Sequence, residues 1–442
     1  MTMNPATSIT SDAPAFSDLV RVFARIGCLS FGGPAGQVAL MHSEVVEKRR
    51  WVGEEQYLHA LNFCHLLPGP EAQQLATWIG WRLHGLKGGL AAGLLFVIPG
   101  ALVMLALSTL YALAANLDWF AALFLGIKAA VLAIVIQALI RIGQRALDTR
   151  FKQALAFAAF LALFLFDLPF PLVVLGAGAF GMFVAAYRPE WFALKPIAGA
   201  QPAARPPRVT MARTVLAWGT IWALPLGLVL ATLGQDHVLW DIGLFFSQLA
   251  IVTFGGAYAV LAYMAQEAVQ TFAWLQPGEM ADGLGLAETT PGPLILVTQH
   301  VGFLAAFRSP EPFSPITAGI IGAALTTWVT FAPCFLWIFT FAPWIERLQR
   351  ATRLKGGLAA LTAAVVGVIS NLSVWFALHV LFAQVTRTAL GPMTLQLPEI
   401  ASFDWRATVM TVAGGLMLFA LKWSIFRTLA MLAVAGLALG SL

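Results

Sequence analysis

The chain has 442 residues, of which 59% are apolar and 11% charged, and its mean hydropathy is +0.81. Soluble domains carry roughly 25% charged residues, so this composition excludes a water-soluble enzyme and points to a polytopic membrane protein. The net charge of +5 comes from Lys and Arg gathered in short loops, with no basic face interleaved with aromatics, which argues against nucleic acid as a partner.

Residues 1–15 show no basic stretch leading into an apolar core and a cleavage site, so they read as a tail without a cleaved signal. A helix needs about 20 apolar residues to cross a bilayer. Segments 16–40 and 56–83 are apolar but interrupted by Gly or Pro, and 88–115, 119–141, 151–168 and 170–187 are continuous spans. A proline-rich, basic stretch at 188–212 reads as a cytoplasmic linker, followed by a connecting helix at 213–233. Segments 241–263 and 280–304 are again interrupted, and 316–341, 357–381, 405–421 and 424–440 are continuous. The expectation is an all-α fold of about nine full spans plus four interrupted segments that span or re-enter. Broken backbone at membrane depth requires protein or a water-filled cavity to satisfy its polar groups.

Sliding the chain by 223 residues brings two stretches into register without a gap. Phe31-Gly32-Gly33 falls on Phe254-Gly255-Gly256, Glu44 on Glu267, Trp51 on Trp274, and Pro68-Gly69-Pro70 on Pro291-Gly292-Pro293. Positions 23–70 hold 13 identities at this shift. A second register of 234 pairs Gly85 with Gly319, Gly88 with Gly322, Pro99 with Pro333, and Lys128 with Thr362. The eleven-residue difference fits an insertion around Arg308–Pro315. Two copies of one membrane unit follow, at 16–187 and 234–442.

After FGG the first copy reads Glu47-Lys48-Arg49-Arg50-Trp51, whereas the second reads Gln270-Thr271-Phe272-Ala273-Trp274. Short cytoplasmic loops carry the Lys/Arg excess, so these equivalent loops are expected on opposite faces. Treating the interrupted segments as re-entrant leaves five full crossings between the copies. That odd number inverts the second copy, the arrangement of secondary transporters with a midplane site.

With these motifs the sequence resembles the long, two-domain form of the chromate ion transporter family. The resemblance rests on SFGG at 30–33, Glu44 and Trp51, PGP at 68–70, GIKAAV at 126–131, and the second FGG and PGP. It implies a multi-pass protein of the bacterial inner membrane that exports chromate, with sulfate as a competing tetrahedral dianion. A homodimer is left open, and so are proton coupling and antiport. The copies differ, since Thr362 replaces Lys128 and Leu294 stands where Glu71 is.

Each PGP breaks one helix and starts another, whose free N–H groups and dipole can face an anion. FGG lets backbone approach a ligand or a neighbouring helix. Lys128, tenth in its span, lies about 13–14 Å from the nearer end at 1.5 Å per residue. A central lysine costs about 2.5–3.5 kcal/mol on insertion scales, so either an anionic substrate or a buried carboxylate must offset it. Glu44, Glu267, Glu71, His65 and Glu288 are the titratable candidates for proton transfer or gating. A pairing of Glu44 with Lys48 is the plainer alternative. Arg21 and Arg25 either concentrate anions at a cytoplasmic mouth or anchor the inside face. Trp51 and Trp274 read as interfacial anchors.

The leading reading is thus an oxyanion transporter working by alternating access, with a sulfate carrier or passive anion channel as alternatives. A membrane-embedded enzyme is disfavoured because the chain has neither HExxH nor GxSxG. Cys28, Cys64 and Cys334 stand far apart, so neither a disulfide framework nor a metal site is expected, and no cofactor is implied.

Overall fold

The computed structural model describes residues 14–31, 33–114, 117–193, 208–254, 257–345, 351–391 and 393–440. Residues 1–13 of the N-terminal tail, most of the 188–212 linker, and Gly32, Gly255 and Gly256 of the two FGG motifs therefore lie outside the described residues.

The first copy opens with α1 (Phe16–Leu29), a break, and α2 (Gly33–His42), which ends in a π-helical turn over Ser43–Lys48. Next come α3 (Glu54–Cys64), the PGP break, and α4 (Glu71–Ala114). Non-helical angles at His84 and Gly85 fold α4 back on itself. Gly85 has φ +61, a conformation that glycine takes without penalty. The two arms touch through small residues: a Cβ on Gly80 would strike the carbonyl of Gly88, and one on Gly93 would strike Thr77. In a straight helix Thr77 and Gly93 would sit about 24 Å apart. The copy closes with α5 (Asp118–Ala146), α6 (Arg150–Phe164) and α7 (Phe170–Tyr187), and α8 (Arg208–Thr232) connects it to the second.

The second copy repeats this plan. Helices α9 (Val238–Val252) and α10 (Ala257–Gln266) mirror α1 and α2, including a π-helical turn at Glu267–Thr271. Helix α11 (Pro277–Thr289), a short 3-10 turn, α12 (Val297–Arg308), α13 (Pro315–Phe341) and α14 (Thr352–Leu381) follow. A β-hairpin, β1 (Val385–Leu390) against β2 (Met393–Pro398), precedes α15 (Trp405–Gly415) and α16 (Ile425–Gly440). The protein is an all-α polytopic membrane fold with this one hairpin added.

Among the described residues, six helices are long and apolar enough to cross a bilayer: α4, α5, α7, α8, α13 and α14. Three expected spans come out shorter than a full crossing: α6 has 15 residues, α15 runs on through a π-helical turn at Leu416–Ala420 to cover Trp405–Ala420, and α16 has 16 residues. All four interrupted segments break where the sequence places them.

Packing between the copies is exchanged. Helices α6 and α7 lie on α14 of the other copy, while α15 and α16 lie on α5. Glycines again set the approach. A Cβ on Gly181 of α7 would overlap Ala360 of α14, and one on Gly436 of α16 would overlap Ala122 and Gly126 of α5. Arg150 and Phe170, which open α6 and α7, precede Trp405 and Ile425, which open α15 and α16, by 255 residues. The shift has thus grown by 21 from 234 because the hairpin is inserted in the second copy alone.

At the centre the breaks bind each other. Gly69 of the first PGP donates its N–H to the carbonyl of Thr253 at 2.7 Å, and Gly292 of the second donates to Ser30 at 2.9 Å. These are equivalent residues used reciprocally, the mark of a two-fold relation between copies. Gln37 adds a bond of 2.5 Å to the carbonyl of Gly292, and Gln74 one of 2.6 Å to that of Pro68.

A methyl group at the α5–α16 crossing should be poorly tolerated. Gly126→Ala should lower stability by about 1–3 kcal/mol, the usual cost of overpacking. Gly176→Ala, where a Cβ meets nothing within 4 Å, should leave stability close to wild type. Thermal denaturation of the detergent-purified variants measures both.

Candidate functional site

The FGG break and the C-terminal part of α5 border a cavity of about 610 Å³. Gly33, Pro34 and Ala35, the first turn of α2, form one wall, and Gln137, Arg141 and Arg145 of α5 form another. His65 and Glu71, on either side of the first PGP, complete it together with Tyr57. Gly33 has φ +71, so α2 starts abruptly at the cavity wall and its partly positive end borders the same space as two guanidinium groups. Arg141 and Arg145 sit one helical turn apart and are both exposed. Within the wall, His42 is bonded to Glu54 at 2.7 Å and lies 3.5 Å from Glu47, so those acids are partly matched locally.

The equivalent place in the second copy is nearly filled. A cavity of about 30 Å³ is lined by Gln270, Asn371, Leu372 and Trp375, the counterparts of Glu47, Gln137, Ala138 and Arg141. The inserted hairpin occupies the remaining space: Arg387 forms an ion pair with Asp167 and a 3.3 Å bond to Gln270, and the Thr394 N–H bonds Leu165 at 2.8 Å. Gln266 donates to Asp167 at 2.9 Å. One of two related cavities is open and the other is plugged.

A second polar cluster surrounds Lys128. Its ammonium lies 3.3 Å from Asp282 of α11, which is only 6% exposed at its side chain while Lys128 is 27% exposed. Tyr111 of α4 donates to the other Asp282 oxygen at 2.7 Å. Its ring meets His300 of α12 edge to face at 5.1 Å, and His300 Nδ1 lies 3.0 Å from the Ser108 hydroxyl. Nearby, Arg308 is bonded to Glu279 at 2.9 Å. Of the two partners open to Lys128 in the sequence, the structure supplies the buried carboxylate.

Asp282, Tyr111, His300, Arg141 and Arg145 were not legible as site residues from spacing. Only the cost of placing Lys128 in lipid signalled that a carboxylate had to exist, without locating it. The positions equivalent to Asp282 and Lys128 are His59 in the first copy and Thr362 in the second, so the cluster is not duplicated.

The remaining sequence candidates separate. Gly33, His65 and Glu71 line the open cavity, whereas the PGP triplets are bound into the centre, and the Gly69 and Gly292 N–H groups serve the opposite copy. Phe31 is exposed, and Phe254 shares an apolar groove with Leu66, Leu67 and Pro68. Glu288 is buried beside the second PGP and Glu267 is half-buried. Arg21 pairs with Asp18 at 3.1 Å on an exposed face, and neither Arg21 nor Arg25 lines the cavity. Trp274 is not an interfacial anchor: it is buried among Phe245, Phe246 and Phe272. Its counterpart Trp51 is half-buried, with Arg49 over the ring. Glu44 takes the plainer role, buried and bonded to Lys48 at 2.7 Å and to Arg49. It lies past the end of the first interrupted segment, where the Lys48 and Arg49 bonds outweigh its burial and hold its carboxyl below the usual range.

Two exchanged repeats joined at broken helices, with one of two related cavities open, define a multi-pass membrane protein. The chain belongs to the chromate transporter family, whose model matches residues 17–182 and 240–440. It is 31% identical to a chromate transport protein of Pseudomonas aeruginosa over 93% of this chain and 94% of that protein. It is 28% identical to a probable chromate transport protein of Synechococcus elongatus, over 84% and 87% respectively. A chromate transport protein of Cupriavidus metallidurans is 26% identical, over 81% and 82%. No solved structure matches the chain.

Because the Glu44 carboxyl is held low, its contribution to stability is full above pH 4.5, the ordinary value. It is lost as pH falls through the lower folded value. Glu44→Gln should therefore cost about 1 kcal/mol at neutral pH, a modest figure because its partners are partly exposed. The gap to wild type should close in acid, which melting curves across pH will show.

Proposed function

We propose that this protein exports chromate from the cytoplasm across a bacterial inner membrane, by alternating access between two inverted repeats. The reading is carried by the pair of related cavities, one open with two arginines in its wall, the other plugged. A passive pore would need both to connect. An alternating carrier instead opens one side at a time, and two-fold related halves supply two equivalent half-paths.

Several features support the orientation. The open cavity is lined by Arg141 and Arg145, which belong with Arg49, Arg50 and Arg150 to short basic stretches at 47–50 and 141–150 that favour the cytoplasmic face. The plugged side carries the uncharged Phe272-Ala273 loop. The site chemistry suits an oxyanion, since charge-assisted hydrogen bonds from guanidinium groups are among the strongest available. The relatives' names supply chromate as the oxyanion.

The driving force agrees with export. One elementary charge crossing 100 mV is worth about 2.3 kcal/mol. A dianion leaving an inside-negative cell therefore gains about 4.6 kcal/mol per 100 mV.

Inside-out vesicles expressing the protein should accumulate radiolabelled chromate saturably. Arg141→Gln with Arg145→Gln should cut that uptake at least tenfold, the loss expected when charged hydrogen bonds worth about 1.5–3 kcal/mol each are removed, with expression unchanged. Wild-type uptake in the double variant would exclude the cavity as the entry site. Cysteines introduced at Arg49 and Phe272 should react with impermeant maleimide from opposite membrane faces. Labelling from one face would contradict the inversion.

A further inference from the structure

The Lys128 cluster has a composition that ordinary helix packing does not need. In hydrocarbon surroundings a lysine beside two neutral helices would suffice with one carboxylate, yet Asp282 is shared between Lys128 and Tyr111 and is still incompletely satisfied. Its Oδ1 faces the ammonium at 3.3 Å but makes no hydrogen bond among the described residues, and the buried His300 Nε2 has none either. The burial is lopsided: Asp282 is closed off while Lys128 keeps about a quarter of its side chain accessible. Lys128 thus keeps an accessible face while the cluster is closed, and Asp282 does not.

We propose that Asp282 is an internal competitor for the oxyanion, and that binding of the anion at Lys128 is coupled to uptake of one proton by Asp282. The inference rests on the transport reading given above. In the substrate-free state the Lys128 ammonium and the Asp282 carboxylate cancel. An arriving dianion draws the ammonium away and leaves a carboxylate that is buried, with Tyr111 as its remaining donor. A buried carboxylate without its cation is much less favourable than its neutral acid, so a proton from the medium bonds to Oδ1. No other bond forms or breaks. The site changes from neutral to singly positive as the proton arrives, and this matches the incoming charge better than the closed ion pair does.

The groups facing Asp282 are consistent with this assignment. Lys128 comes from α5, Tyr111 from α4, His300 and Arg308 from α12, and Glu279 from its own helix. Arg308 and Glu279 bind one another, and Tyr111 can donate to either form of the carboxyl. Helices α14 and α16 also touch α11, but no hydrogen bond or ion pair joins them to Asp282 among the described residues. Lys128 is therefore the charge whose departure Asp282 must answer. His59 of the first copy and Thr362 of the second stand at the positions equivalent to Asp282 and Lys128, so the coupling is a property of one site per chain.

Calorimetry of chromate binding to the purified full chain tests the coupling at alkaline pH, where the ligand is a dianion. Measurements in two buffers of different ionisation enthalpy give the number of protons exchanged. Wild type should take up close to one proton, with affinity changing by up to tenfold per pH unit. Asp282→Asn, which keeps the Tyr111 bond, should bind chromate more tightly, take up no proton, and lose the pH dependence. Lys128→Gln should lose at least tenfold in affinity. Chromate binding to wild type without proton uptake would overturn the coupling while leaving the transport reading standing, and this outcome needs no variant to fold. Proton uptake that persists in Asp282→Asn, or a folded Asp282→Asn that no longer binds, would also overturn it. Absence of chromate binding by wild type would remove the substrate reading and the coupling together.

Discussion

The fold depends on the way its broken helices satisfy one another. A helix interrupted at membrane depth exposes backbone N–H and C=O groups that lipid cannot bond, each at a cost of several kcal/mol. Here the Gly69 and Gly292 N–H groups reach the carbonyls of Thr253 and Ser30 across the two-fold relation. Each copy's PGP therefore repairs the break before the other copy's FGG. Proline removes its own donor and glycine lets the chain turn, with φ +112 at Gly69 and +90 at Gly292. The triplets that look from sequence like paired ligand sites act here as the joint holding the repeats together.

Symmetry in the scaffold does not extend to the polar side chains laid on it. The open cavity has Arg141 where its mate has Trp375, His379 stands at the position equivalent to Arg145, and the Lys128–Asp282 pair has no counterpart. The related positions supply similar shapes with different charges, so the chain keeps a two-fold body and a one-sided chemistry. The inserted hairpin deepens that difference, since its Arg387 and Thr394 fill the second cavity by binding Asp167 and Leu165.

Much of the architecture was legible because lipid imposes a simple length rule and because the repeat keeps its register. Helix α7 covers the expected 170–187, and the four interruptions fall at FGG and PGP. The hairpin was not legible: its strands are short, its position falls between two apolar runs, and a sequence register of 234 ends just before it. The exchange of α6 and α7 with α15 and α16 was hidden for the same reason, since contacts between copies leave no local periodicity. Lys128 stood out because a mid-span cation needs a partner. Asp282 did not, because an acid near a helix start reads equally well as a dipole partner or a solvated residue.

The exchanged packing has a further consequence for how such a chain can be divided. With α7 resting on α14 and α16 resting on α5, cutting the protein at the linker would strip one long helix in each fragment of its cover. Neither fragment holds a complete hydrophobic interior, and each contains the missing piece of the other. Whatever the order in which the halves are made, they must mature as mutual scaffolds. A chain carrying one copy alone could reach this architecture only by embracing a second.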